Sequence, residues 1–116
     1  MTVKDIAEII GAEIICGADL LGTTVERAFG SDMMSDVLAF AEEQALLITG
    51  LVNPQVIRTA EMMDVPCIIF VRGKRPDLKM IEMAEDRDMV LLCSESSMFT
   101  VCGQLYASGV KGGYSK

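Results

Sequence analysis

Three short, unbroken apolar runs constrain this chain more than any other feature: Leu46-Leu47-Ile48-Thr49, Cys67-Ile68-Ile69-Phe70-Val71 and Met89-Val90-Leu91-Leu92-Cys93. A strand with one wet face alternates apolar and polar residues, so a strand that is apolar throughout must be covered on both faces, as in a parallel sheet. The segments between the runs read as helices. Asn53 is placed as an N-cap and Pro54 at the first helical position, where a missing N–H costs nothing; Val56, Ala60 and Met63 give a buried stripe before Asp64-Val65-Pro66 ends the helix. After the loop 72–77, a helix over 78–87 carries Leu78, Ile81 and Ala84 or Glu85 in register. Ser96 or Ser97 caps a last helix, whose apolar face is Met98, Val101, Cys102 and Leu105. Such alternation, with right-handed crossovers, predicts a single small α/β domain: an open, mainly parallel β-sheet with flanking helices, a mixed sheet being the alternative.

The first third fits the same plan. Thr2 caps a helix with Val3, Ile6, Ala7 and Ile10 on one face, and Gly11 stops it before a strand at 13–16. A turn at 17–22 leads to Val25-Glu26-Arg27-Ala28-Phe29, whose loose alternation suits a strand near an edge. Gly30-Ser31-Asp32 breaks it, and a helix over 33–41 follows with Met34, Val37, Leu38 and Ala41 on one side. No repeat or linker divides the chain. The reading therefore gives one domain, 1–110, and a flexible tail, 111–116, marked by Gly112-Gly113.

Composition removes whole classes of function. With 116 residues, 51% of them apolar and 23% charged, the chain is hydrophobic enough to fold. Its formal charge of -7 disfavours nucleic acid, whose phosphates require a basic footprint. There is no His, which excludes imidazole acid–base catalysis, His-paired nucleophiles and His-containing metal sites. Cys16, Cys67, Cys93 and Cys102 form no Cys-x-x-Cys pair and are read as reduced core thiols; neither a P-loop nor a Gly-x-Gly-x-x-Gly string occurs. No metal site, cofactor or catalytic residue is expected. Lys4, Asp5, Glu8, Glu13 and Asp19 interrupt the first twenty residues, and no stretch is apolar enough to span a membrane, so a cytoplasmic location is expected.

In open α/β sheets ligands sit beyond the carboxyl ends of the strands, where loops enter helix N-termini. Here those loops are 30–32, 49–53, 72–75 and 94–97. Three basic residues fall between Arg72 and Arg75, directly after a buried strand, which concentrates positive potential and favours an anionic ligand. The candidate ligand-binding residues are Ser31, Asp32, Thr49, Gly50, Asn53, Arg72, Gly73 and Lys74. The repeated Ser-Asp of Ser31-Asp32-Met33-Met34-Ser35-Asp36 also suits helix capping, with Ser31 or Asp32 as the N-cap.

The segments Ser31-Asp32-Met33-Met34-Ser35-Asp36-Val37-Leu38, Leu47-Ile48-Thr49-Gly50-Leu51-Val52-Asn53-Pro54 and Ile69-Phe70-Val71-Arg72-Gly73-Lys74 resemble the DRTGG domain family. Such domains are similar to the N-terminal, non-kinase domain of HPr kinase/phosphorylase; they also occur in some phosphotransacetylases and beside CBS domains in some inorganic pyrophosphatases. The literal Asp-Arg-Thr-Gly-Gly string is absent, and Thr49-Gly50 is its only fragment. The resemblance implies a non-catalytic regulatory or dimerising module. Combined with the basic loop, it suggests a homodimeric sensor of a small anionic metabolite such as an adenine nucleotide. The alternative is a structural subunit that joins a protein partner and takes no small ligand. A two-fold dimer is expected because a small sheet leaves edges and apolar faces to cover.

Overall fold

All three apolar runs are strands, buried at every position: β3 (Leu46–Thr49), β4 (Cys67–Phe70) and β5 (Val90–Cys93). In the computed structural model, which describes residues 1–115, they are joined by β1 (Glu13–Cys16), β2 (Arg27–Gly30) and β6 (Lys111–Gly112). The six strands form one sheet of order β1-β5-β4-β3-β2-β6. β1 runs antiparallel to β5 and every other neighbouring pair is parallel, so the sheet is mixed.

Chain direction explains the layers. β2 to β5 succeed one another across the sheet, and right-handed crossovers in one direction place all their helices on one face. These are α2 (Met34–Phe40), α3 (Pro54–Met62) and α4 (Leu78–Asp86). The last helix, α5 (Met98–Ala107), carries the chain back across the sheet to β6, so the same handedness puts it on the opposite face, beside α1 (Val3–Ile10). Side chains that alternate along each strand divide the core accordingly. Leu47, Ile68, Phe70 and Leu91 meet Val37, Ile57, Ala60 and Met80 in one cluster. Leu46, Ile48, Ile69 and Leu92 meet Val3, Ile6, Val101 and Leu105 in the other.

Local chemistry fixes where the helices begin. Thr2 Oγ1 accepts from the Asp5 amide while the Asp5 carboxylate accepts from the Thr2 amide, a reciprocal cap on α1. Asn53 caps α3 through the Gln55 amide at 2.8 Å, and Asp77 caps α4 through the Met80 amide at 2.9 Å. Ser97, rather than Ser96, caps α5 through the Thr100 amide.

The structure departs from the sequence reading at several places. With α4 started by Asp77, Met80 and Ala84 face the sheet, whereas Leu78 is 79% exposed and Ile81 only partly buried. On α2 the buried stripe is Met34, Val37 and Ala41, and Leu38 lies at its exposed margin. Val25 is buried but precedes β2, its amide bonded to the Met1 carbonyl at 2.7 Å. Finally, residues 111–115 are hydrogen-bonded structure rather than a frayed tail; Lys116 lies outside the described residues. Lys111 and Gly112 pair with Arg27 and Ala28, the Gly113 amide bonds the Ala28 carbonyl at 2.8 Å, and the Ser115 amide bonds the Phe40 carbonyl at 2.7 Å. Without β6, β2 would present an open row of backbone groups. Gly113 is small because a Cβ there would lie 2.9 Å from that of Ala45.

Candidate functional site

The loops after β2, β3, β4 and β5 emerge along one edge of the sheet, and Asp32 ties the first three together. Its Oδ1 accepts from the Gly50 amide at 2.6 Å and from Thr49 Oγ1 at 3.2 Å, while its Oδ2 lies 3.4 Å from Arg72 Nη2. Thr49 is buried, and its hydroxyl oxygen also accepts from the Leu51 amide, which bends the chain as it leaves β3. The Gly50 N–H, followed by the Thr49 hydroxyl and the Arg72 charge, holds the Asp32 carboxyl below the usual carboxylate range against an opposing effect of partial burial.

Arg72 is the unusual member. Its backbone sits at φ 59°, in the left-handed region that a residue with a Cβ enters at a cost of about 1–2 kcal/mol. The turn is closed by backbone bonds to the fourth loop: Arg72 N to Ser96 O at 2.8 Å and Gly73 N to Ser94 O at 3.0 Å. Gly73 follows at φ 68°, and a Cβ there would approach Glu95 Oε2 to 2.7 Å. The conformation lays the Arg72 side chain across Gly50, so closely that any Cβ at position 50 would overlap the guanidinium. Arg72 and Asp32 remain 44% and 45% exposed, so their pair is solvated and contributes at most about 1 kcal/mol. Most of the guanidinium's N–H fork stays open to an incoming anion, which it suits by geometry.

Asp32, Thr49, Gly50 and Arg72 thus form one cluster, with Gly73 beside it. The other candidates stand apart or serve the backbone. Ser31 Oγ accepts from the Met33 amide at 3.0 Å in a local turn, Asn53 caps α3, and Lys74 lies exposed on the loop after β4. Neither Ser31 nor Asp32 caps α2; Met33 holds the N-cap position with no side-chain bond, because Asp32 is turned toward Gly50. Two residues went unweighed in the sequence. Glu13 of β1 takes Arg75 in a double hydrogen bond of 2.8 and 3.0 Å, which draws that cation away from the cluster, and Glu95 adds a carboxylate next to Gly73. Only the strand order β1-β5-β4 brings Glu13 to this loop, so no spacing along the chain announces the pair.

A groove of about 540 Å³ opens elsewhere, lined by Glu26, Arg27, Glu42, Glu43 and Asp64 among others. Its one guanidinium is bound to Glu42 at 3.1 Å, so its potential repels anions. Among the described residues no group of three or more Cys, Asp and Glu is arranged to hold a metal ion, all four cysteines are free, and no helix is long and apolar enough to cross a membrane.

The family model of the DRTGG domain matches residues 5–108. The chain belongs to the DRTGG domain family. No curated protein matches this DRTGG domain. Among solved structures it is similar to the CBS and DRTGG domains of the regulatory region of Clostridium perfringens pyrophosphatase, complexed with the activator diadenosine tetraphosphate. The TM-score is 0.75 at 16% identity, covering 99% of this chain and 50% of that one, a likeness of fold.

Proposed function

We propose that this DRTGG domain is a non-catalytic regulatory module, homodimeric, that senses a small anionic metabolite of the adenine nucleotide class. The proposed site is the loop edge around Asp32, Thr49, Gly50, Arg72 and Gly73, with Lys74 supplying a further cation. One observation carries the reading: Arg72 is held in a left-handed conformation, over a position where only glycine leaves room for its guanidinium. Left-handed residues with side chains cluster at ligand clamps and other functional sites, and of the four among the described residues, Gln44, Asp64, Arg72 and Asp88, Arg72 is the one at this loop edge. The pyrophosphatase regulatory region, which shares this fold, takes diadenosine tetraphosphate as an activator, and that supports an adenine nucleotide as the ligand class.

The test separates binding from folding. Thermal shift is measured with ATP, diadenosine tetraphosphate and inorganic pyrophosphate, on the wild type and on Arg72→Gly. A ligand at a hundred times its Kd stabilises the native state by about 2.7 kcal/mol. The variant keeps the two backbone bonds that close the turn and loses the strain, so it should melt no lower than the wild type while its ligand response disappears. An undiminished response in Arg72→Gly removes this edge as the site; silence of the wild type across the panel overturns the sensor reading.

A further inference from the structure

We propose that the side of α5 bearing Phe99, Gly103 and Tyr106, together with the apolar slot next to it, is where two copies of this chain meet about a two-fold axis. This builds on the homodimer proposed above and assigns it a surface. Residues 96–110 contain no charged side chain, in a protein of formal charge -7. A contact between two copies on this stretch brings no like charges of α5 together.

On this neutral stretch, Phe99 is 87% exposed and Tyr106 74% exposed. Helical spacing places both on the side of α5 that also carries Cys102, away from the buried Val101 and Leu105. That side borders a slot of about 160 Å³, mostly apolar, whose walls include Ala28, Gly30, Ile48, Cys102, Tyr106 and Lys111. An apolar cavity of about 150 Å³ accepts a benzene ring. The monomer therefore has an exposed ring, Phe99, and, on the same side, an open slot of a size to take one. A two-fold arrangement satisfies both, with Phe99 of each copy entering the slot of the other, since in an isologous contact residue i meets j and j meets i.

Gly103 supplies an independent observation. It sits in mid-helix, exposed, with open space where a Cβ would be, so nothing within the monomer requires glycine there. Glycine weakens a helix relative to alanine, and it leaves room for the backbone of a second helix to approach closely. Its place between Phe99 and Tyr106 is where two such helices would cross.

Sedimentation equilibrium across the micromolar range tests the surface, with Phe99→Ser and Gly103→Lys as variants. Both positions are exposed, and lysine favours the helix, so folding is retained and is confirmed by circular dichroism. The wild type should be dimeric, and each variant should weaken the dimer by about tenfold or more, as for the loss of a central anchor. Phe99 filling the partner's slot covers Cys102, so Cys102 should react with a maleimide more slowly in the wild-type dimer than in Phe99→Ser, and equal rates overturn the surface. A dimer unaffected by both substitutions overturns this surface while leaving the dimer itself; a wild type that stays monomeric overturns both.

Discussion

Replacing Asp32 by Asn tests the central link of the loop edge, because the amide keeps the shape and one acceptor oxygen but removes the charge. Asp32 receives the Gly50 amide at 2.6 Å and the Thr49 hydroxyl at 3.2 Å. A hydrogen bond to a charged acceptor contributes about 1.5–3 kcal/mol against about 0.5–1.5 for a neutral one, so weakening the two bonds would cost about 2 kcal/mol in full burial and costs about 1 kcal/mol at the half-exposed Asp32. The half-exposed Arg72 pair adds a fraction of a kilocalorie after solvent screening. A domain of this size loses about 4 °C of Tm per kcal/mol, so Asp32→Asn should melt about 4–6 °C lower near neutral pH. The difference must depend on pH. The folded carboxyl is held below its unfolded value, so its contribution is complete above the unfolded pKa of about 3.9 and is lost as pH falls through the folded one. Calorimetric melting between pH 7 and strongly acid conditions should therefore show the two proteins converging in acid. A Tm gap that stays constant down to pH 2, or an Asn variant as stable as the wild type at pH 7, would refute the account of Asp32 as an ionised clamp. Anion binding should move the opposite way. Removing a negative charge about 4 Å from an anion bound at the guanidinium relieves a repulsion of about 1 kcal/mol in water, so pyrophosphate should bind several-fold more tightly.

Three further outcomes are expected. Gly50→Ala should push the Arg72 guanidinium aside at little cost to Tm, since the group displaced is the far end of a flexible side chain, and should abolish the anion response; a wild-type response would place the ligand elsewhere. Thr59 is fully buried with its hydroxyl unpartnered, so the isosteric Thr59→Val should raise stability to urea by about 1 kcal/mol, and a loss would reveal a partner for that oxygen. Burial pushes the Cys93 thiol up to about 11 and those of Cys16, Cys67 and Cys102 in the same direction, so a thiol reagent at pH 8 should modify native protein far more slowly than unfolded protein, in which all four cysteines react.

The layered fold was legible because its signals are local. Runs such as Ile68-Ile69-Phe70 state burial on two faces, and caps such as Asn53-Pro54 state where a helix starts, without reference to the rest of the chain. What escaped depends on neighbours. The glycines near the C-terminus look like fraying until β2 is seen to need a partner, and Leu78 looks like core until Asp77 sets the rotation of α4. The candidate site divides the same way. Strand–loop–helix order named the loops that share this edge of the sheet, but Asp32 has its local alternative as a cap, and only the adjacency of β2, β3 and β4 turns it toward Gly50 and Arg72. The left-handed Arg72 had no sequence signal, because glycine is the residue that marks such positions.

One consequence joins the two proposed surfaces. Gly30 ends β2, lines the apolar slot beside α5, and lies two residues before Asp32. An anion that takes the Arg72 guanidinium from Asp32 releases the weakest of the bonds holding the β2 loop, at 3.4 Å, and leaves the shorter bond to Gly50. The wall of the slot that would receive Phe99 thus shares a strand end with the proposed anion site. Binding at one should then alter affinity at the other, and by linkage the two factors must be equal. With a coupling of about 1–3 kcal/mol, saturating pyrophosphate would change the dimer Kd by about 5- to 150-fold, and dilution to monomer would change pyrophosphate affinity by the same factor. Sedimentation with and without pyrophosphate measures the first; titration above and below the dimer Kd measures the second. Equal affinities in both states would mean that β2 stays rigid when Arg72 is drawn away, and that the anion site and the α5 face act independently.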